Sequence, residues 1–267
     1  MLQRLACAIR LILAALLMSL LGAGPSLAIC QLVSQNGFEG LVPLKTALAP
    51  NQLQIRYIGH STFEIETPTG LRIATDYNGT MKPDRIPNVV TMNGAHGTHF
   101  TFNPEPEIEH VLLGWNPEGG PMDHDLTIRD VRIRNIQTNT RGWDGETRRL
   151  GNSIFIFETA ELCIAHLGHL HQRLTDEDLT RLGRIDIVFV PVDGSVTLGH
   201  DSMAEVLQAI GPRVVIPMHA FTYGSLQSFS ARLALAGYQV ELSDSPVYIA
   251  SRATLPAAPT LLVLPGR

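Results

Sequence analysis

The order of apolar segments changes near residue 175, and this change constrains the fold more than any other feature. Before it, short segments such as 53–59 and 62–66 have the alternation of half-buried strands, with Phe63 and Ile65 between Glu64 and Glu66. After it, continuous apolar strands alternate with capped helices that end at glycine. This order predicts one α/β domain in which sheet layers are covered by helices.

The N-terminal 28 residues have the pattern of a secretory signal. Arg4 and Arg10 accompany an apolar run over 11–21, and Ser26-Leu27-Ala28 supplies a small-residue cleavage site. The run is short of the roughly 20 residues that span a bilayer, which favours cleavage after Ala28 over a retained anchor. We therefore expect an exported, periplasmic protein with a lead-in over 29–52, a domain over 53–251 and a loose Pro-rich tail over 252–267.

The charge of the mature chain excludes one class of partner. The whole chain of 267 residues has a net charge of −5, and removing two arginines and no acids with residues 1–28 gives −7. Binding to nucleic acid depends on clustered Lys and Arg, so we expect no nucleic-acid partner. After signal cleavage, no remaining apolar run predicts a membrane span. A small-molecule substrate is the expected partner.

Two cysteines, Cys30 and Cys163, remain after signal cleavage. Export permits a disulfide between them. Cys163 also lies inside the apolar segment "LCIA", where a free cysteine acts as a small buried hydrophobe. The sequence leaves both interpretations open.

Histidines follow three of the apolar strands, at the end where each strand stops. The strands at 88–92, 162–165 and 214–218 are followed by His96 and His99, by His166, His169 and His171, and by His219. Loops that gather at the carboxyl ends of strands commonly build binding sites, and neutral imidazole is a common ligand of zinc. This distribution predicts a metal site assembled from several loops. The stretch "CIAHLGHLHQ" (163–172) contributes most to it.

The motifs "IRYIGHSTFEIET", "IAHLGH" and "VVIPMH", in this order, resemble the metallo-β-lactamase superfamily. They look most like its branch of metal-dependent hydrolases similar to L-ascorbate-6-phosphate lactonase. The resemblance covers about 53–251 and implies a four-layer αββα sandwich with a one- or two-metal site at one edge of the sheets. It matches His166 and His219 to family ligands, and His60 to a family position.

The chain departs from the central family motif, His-x-His-x-Asp-His. The matching stretch begins with Gly94 in place of the first histidine and has Thr98 in place of the aspartate, while His169 stands where the family has a bridging aspartate. Imidazole cannot bridge two metals as a carboxylate does. We therefore expect one divalent metal rather than two. Its predicted ligands are His96, His99, His166, His169 and His219. Zinc is the first choice, and iron, manganese, nickel and copper remain compatible with nitrogen ligands.

The expected reaction is hydrolysis of an ester, lactone, phosphodiester or amide by a metal-activated water. Three further residues are candidates for catalysis. Asp76 and Asp193 each follow a strand and could orient an imidazole or accept a proton, and His171 could shuttle a proton or be a solvated loop residue. The alternative function is a non-catalytic metal- or ligand-binding protein on the same fold, favoured by Gly94 and Thr98.

Overall fold

A computed structural model describes residues 48–142 and 144–266. The predicted signal sequence, Cys30 and most of the lead-in lie outside the described residues. The described chain forms two β-sheets and three helices. The first sheet has six strands in the order β13-β1-β2-β3-β4-β5. Its strands are β1 (Leu53–Gly59), β2 (Thr62–Glu66), β3 (Arg72–Ala74), β4 (Val89–Met92), β5 (His110–Leu113) and β13 (Val247–Ala250).

The second sheet has eight strands in the order β12-β14-β11-β10-β9-β8-β7-β6. Its strands are β6 (Asp125–Ile128), β7 (Val131–Arg141), β8 (Thr147–Thr159), β9 (Leu162–His166), β10 (Ile187–Pro191), β11 (Val214–Met218), β12 (Gln239–Leu242) and β14 (Thr260–Val263). Strands β9, β10 and β11 are parallel to one another. Their carboxyl ends therefore meet at one edge of the sheet, and the histidine loops after β9 and β11 begin there.

The main core lies between the two sheets, because alternate residues of each strand point inward. Phe63 of β2 stacks on Phe189 of β10 with ring centroids 4.0 Å apart. Both residues belong to a cluster that joins the two sheets and is closed to solvent. Burial of such side chains stabilises the fold by about 1.5–3 kcal/mol each.

Three helices pack on the outer face of the eight-stranded sheet: α1 (Asp176–Leu182), α2 (His200–Ile210) and α3 (Tyr223–Leu235). Two of the predicted caps are present, whereas α2 starts at Gly199 without a side-chain cap and α3 ends at Ala236. Thr175 forms a capping box with Asp178 at the start of α1, and Gly211 ends α2 in the left-handed conformation at φ 67°. The predicted α/β sandwich is thus confirmed for the two sheets and this helical layer.

Two features differ from the expectation. Within the described ranges, Phe100 and Trp115 from loops cover Met92 and the outer face of the six-stranded sheet, where a fourth layer of helix was expected. The tail was predicted to lie loosely on the surface, and for 260–263 this is wrong. Strand β14 inserts between β11 and β12, and Leu261 is fully buried. The "TLLV" run pairs with β11 on one side and β12 on the other, although the segment around it is rich in proline.

Candidate metal centre

The site lies where the two sheets meet at one edge, and His60 and His219 join them there. His60 occupies the tight turn between β1 and β2, and His219 follows β11; both have left-handed backbones, at φ 52° and 56°. The backbone N–H of His219 donates to the carbonyl oxygen of His60 at 2.7 Å. The two rings consequently lie 4.3 Å apart.

The loop after β4 brings two more imidazoles to the same place. Two backbone hydrogen bonds close this loop. The N–H of His99 donates to the carbonyl oxygen of His96 at 2.8 Å, and the N–H of Asn93 donates to the carbonyl oxygen of His99 at 3.2 Å. The rings of His96 and His99 lie 4.5 Å apart at nearly a right angle. This loop therefore presents both imidazoles to His60 and His219.

These four histidines form a group tight enough for one cation. One ring nitrogen from each of His60, His96, His99 and His219 lies within 4.8 Å of the others. Nitrogen ligands at about 2.0–2.1 Å from one zinc ion lie at most about 4.2 Å apart, so the four rings would close slightly around such an ion.

His169 faces this group from the loop after β9. Its ring lies 5.1–5.2 Å from those of His96, His99 and His219 and stands nearly perpendicular to each. Its side chain is only 1% exposed. We call the five residues His60, His96, His99, His169 and His219 the five-imidazole pocket.

Several nitrogen atoms of this pocket are buried without a hydrogen-bond partner among the described residues. They are Nε2 of His99, Nε2 of His219 and both ring nitrogens of His169. Buried polar atoms are nearly always satisfied, so such a concentration in one place calls for a ligand. A divalent cation fits, because imidazole lone pairs that converge in a buried pocket are the donor set it takes.

Two carboxylates hold the opposite nitrogens of these rings. Nδ1 of His99 donates to Oδ2 of Asp76 at 2.5 Å, and Nδ1 of His219 donates to Oδ2 of Asp193 at 3.0 Å. An acceptor at Nδ1 fixes the tautomer, so Nε2 keeps its lone pair for a metal. Of the two roles predicted for these aspartates, the hydrogen bonds show orientation of an imidazole.

Both aspartates are ionised. Burial alone would raise the pKa of Asp76, but His99, His166 and Asn93 outweigh it and lower that pKa to about 2. Burial is likewise outweighed at Asp193, where hydrogen bonds from His219, Thr197 and the backbone of Ser195 hold the pKa far below its usual range. Neither carboxylate is suited to take up a proton near neutral pH.

Four imidazoles of the pocket, in contrast, are kept neutral near pH 7. Burial, reinforced by neighbouring imidazoles, lowers the pKa of His60 to about 3, of His96 to about 4 and of His169 to about 2. Burial also lowers the pKa of His219. A pKa of about 2 makes His169 a poor proton acceptor but leaves its lone pair available to a metal at neutral pH.

His166, an expected ligand, does not join the pocket. Its Nε2 donates to the carbonyl oxygen of Ser61 at 2.9 Å, and its Nδ1 accepts from the N–H of Gly168 at 3.2 Å. A neutral imidazole has one donor and one acceptor, and both are used here. His60 lies in the pocket instead. The family resemblance matched His60 to a family position but gave it no role. The Gly-His-Ser turn between two predicted strands was the available signal in the sequence.

The position of the missing first histidine, Gly94, is filled by another side chain. A Cβ at Gly94 would lie 2.8 Å from the ring of Trp115 and 3.0 Å from the carbonyl oxygen of Gly151. The indole therefore occupies the space that a side chain at this position would need.

His171, the third catalytic candidate, makes no ring contact with the pocket among the described residues, and burial followed by Arg141 lowers its pKa.

An aromatic side chain lies at the open side of the pocket. The ring of Phe221 is 4.7 Å from that of His219 and nearly parallel to that of His60 at 6.2 Å, and it is 53% exposed. It offers an apolar surface to a molecule that approaches the imidazoles.

Cys163 is disulfide-bonded, and its partner lies outside the described residues. That this partner is Cys30 therefore stays a prediction. Of the helices among residues 48–142 and 144–266, none is long and apolar enough to cross a membrane.

Comparison with known proteins gives consistent matches. Residues 54–219 match the family described as "Beta-lactamase superfamily domain". A UPF0173 protein of Pyrococcus abyssi is 31% identical over 217 residues, which cover 73% of this chain and 98% of that protein. A UPF0173 metal-dependent hydrolase of Nanoarchaeum equitans is 27% identical over 189 residues, or 64% of this chain and 85% of that protein.

Solved structures share the fold. A metallo-β-lactamase superfamily protein of Thermotoga maritima superposes with a TM-score of 0.59 at 24% identity, covering 80% of this chain and all of that one. The metallo hydrolase Igni18 of Ignicoccus hospitalis superposes with a TM-score of 0.50 at 17% identity, covering 69% of this chain and 91% of that one.

Proposed function

The chain belongs to the metallo-β-lactamase superfamily, and from the five-imidazole pocket we propose that it is a metal-dependent hydrolase with a single-cation site. The observation that carries the proposal is the set of buried nitrogens on His99, His169 and His219 that have no hydrogen-bond partner within residues 48–142 and 144–266. Relatives described as metal-dependent hydrolases support the same activity.

The residues have distinct parts in this function. His60, His96, His99, His169 and His219 would hold the cation. Asp76 and Asp193, ionised and bonded to Nδ1 of His99 and His219, keep those rings in the binding tautomer. When bound, a divalent cation supplies Lewis acidity that activates water and polarises the substrate's carbonyl or phosphoryl oxygen.

We propose one ion because the second set of ligands is absent among the described residues. Gly94 offers no side chain, Trp115 fills its space, and both nitrogens of His166 are bonded to the backbone. Zinc is the first candidate. Five imidazoles exceed the three protein ligands of a usual catalytic zinc, so a six-coordinate ion such as iron or nickel is the second.

The substrate proposed is a small ester, lactone, phosphodiester or amide. Within the family we place the chain near the branch similar to L-ascorbate-6-phosphate lactonase, which makes lactones the first compounds to test. Phe221 supplies an apolar wall beside His60 and His219, so substrates with an apolar group next to the scissile bond should be preferred.

A non-catalytic binding protein is the second candidate, and Trp115 in the space beside Gly94 favours it. Cation content and turnover separate the two. We expect the purified protein to hold one equivalent of cation by elemental analysis and to hydrolyse at least one member of a panel of lactones, esters, phosphodiesters and amides. Bound cation without turnover on that panel would favour the binding protein.

Two variants test the ligand assignment. His219→Ala should lose the cation and all turnover, whereas His166→Ala should keep one equivalent because its ring faces the backbone of Ser61 and Gly168. His110→Ala, on strand β5, is the matched control. If His166→Ala lost the cation while retaining its fold, the pocket as assigned here would be wrong.

We also propose that the protein acts outside the cytoplasm. The N-terminal signal pattern and the disulfide at Cys163 support this, since disulfides persist in oxidising compartments. N-terminal sequencing of protein from a periplasmic extract should begin at Ile29. Recovery only from the cytoplasm with an intact N-terminus would refute export.

A further inference from the structure

Thr98 stands between two imidazoles of the pocket. Its Oγ1 lies 2.8 Å from Nδ1 of His96 and 2.9 Å from Nε2 of His60. Both distances are those of hydrogen bonds. The threonine replaces the aspartate of the resembling family's motif, and its hydroxyl reaches ring nitrogens from two different loops.

The direction of these two hydrogen bonds decides whether both rings can hold a cation. A neutral imidazole carries one proton, on either Nδ1 or Nε2. If Thr98 donated to His96 Nδ1, the ring proton of His96 would sit on Nε2, the buried nitrogen of that ring. If it donated to His60 Nε2, the proton of that ring would sit on Nδ1. In either case one imidazole would lose the lone pair that a cation needs.

In a third arrangement, both rings keep a lone pair for a cation. A hydroxyl oxygen has two lone pairs, so it can accept from two N–H groups at once while its own proton points elsewhere. Thr98 is half-buried, so the residue is not closed off from solvent. His96 then carries its proton on Nδ1 and His60 carries its proton on Nε2, and each ring keeps a lone pair on its other nitrogen.

We infer that Thr98 accepts from both rings and so positions His60 and His96 as ligands of one cation, an inference that rests on the proposed metal site. It gives each of the four tightly grouped imidazoles an oxygen acceptor on its outer nitrogen. Asp76 serves His99, Asp193 serves His219, and Thr98 serves His60 and His96 together. Such acceptors orient ligands and raise their basicity.

The surrounding loop holds Thr98 in place for this role. The side-chain amide of Asn78 donates to the carbonyl oxygen of Thr98 at 2.9 Å, while its Oδ1 accepts from the backbone N–H groups of Thr80 and Met81, also at 2.9 Å. The backbone at Thr98 is therefore held by contacts that do not involve a cation. Thr98 is a positioning residue, since it acts only through the two imidazoles.

The direct test is the tautomer of each ring in the zinc-loaded protein. Two-bond ¹H–¹⁵N correlation spectra should show His60 protonated at Nε2 and His96 protonated at Nδ1. Spectra of the His60→Ala and His96→Ala variants assign the two signals. A proton on Nδ1 of His60 or on Nε2 of His96 would overturn the inference, because Thr98 would then be a donor to that ring.

Binding of Co²⁺ provides a second test. Thr98→Val keeps the shape but removes the acceptor, and we expect it to weaken Co²⁺ binding by about 10–100-fold and to shift the visible absorption bands. Thr98→Ser keeps the hydroxyl and should retain the affinity and spectrum of the wild type. Thr98→Ala is measured beside Thr98→Val in case valine disturbs the loop. Thr260→Val, a buried threonine on β14, is the control for the substitution itself.

The outcomes separate this inference from the proposed hydrolase function, because no readout here depends on turnover. Wild-type Co²⁺ affinity and spectrum in Thr98→Val would overturn the positioning role and leave the hydrolase proposal intact. The expected loss in Thr98→Val, together with a wild type that turns over no compound of the panel, would support the positioning role and favour the binding protein over the hydrolase.

Discussion

Removal of the imidazole at 169 should make the cation-free protein less sensitive to acid. His169 is 1% exposed, and burial followed by its neighbours lowers its pKa from 6.5 to about 2. Below about pH 6.5 the unfolded chain binds a proton at this residue that the folded chain does not bind. Unfolding therefore takes up a proton, and the free energy of unfolding falls as the pH falls.

The size of the effect follows from the two pKa values. Between about pH 7 and about pH 5, a group with an unfolded pKa of about 6.5 and a much lower folded pKa reduces the free energy of unfolding by about 2 kcal/mol. His169→Asn removes this contribution, since asparagine does not titrate. Any constant cost of burying the amide cancels in the difference between the two pH values.

The assay is urea denaturation at both pH values with excess chelator, because a bound cation would stabilise the folded state by itself. The wild type should lose about 2 kcal/mol more than His169→Asn between the two conditions. His110→Asn, on strand β5, should behave as the wild type. An equal loss in the wild type and in His169→Asn would refute the claim that His169 is buried without a proton.

Three further substitutions test other parts of the structure. Asp193→Asn should weaken zinc binding by about 10–100-fold in a chelator competition, because the amide is a weaker acceptor for the ring of His219; unchanged affinity would contradict the orienting role. Gly94→Ala should lower the free energy of unfolding, measured by urea denaturation, by about 1–3 kcal/mol, because the added Cβ would meet Trp115. A urea transition identical to that of the wild type would show that the indole moves aside. Cys163→Ser should cost about 2–4 kcal/mol under oxidising conditions and much less with reductant, and an equal cost in both would argue against the disulfide.

The sequence alone determined the class of fold and the edge at which the site forms. Period-2 segments, capped helices and continuous apolar strands predict secondary structure locally, so β2, α1 and β11 were found where the pattern places them. Histidines that follow buried strands were expected to gather at one site, and this is confirmed for His99 and His219. Although β4 and β11 belong to different sheets, the two rings lie 5.0 Å apart.

Only the tertiary structure decided which imidazoles face inward. His166 ends a strand as the pattern requires, yet its ring reaches the backbone of Ser61, which comes from the other sheet. His60 belongs to a turn with no strand pattern of its own at the histidine, and it enters the pocket because β1 and β2 are held against β11 through the bond from His219. These contacts join residues more than a hundred positions apart, so no spacing in the sequence encodes them.

The same distinction explains the two substituted motif positions. From the sequence, Gly94 and Thr98 are losses from a metal motif. In the folded protein, the indole of Trp115 occupies the space beside Gly94, and the hydroxyl of Thr98 contacts two imidazoles. The residue types fix what each side chain can donate or accept, and the packing of two sheets against each other decides which partner it meets.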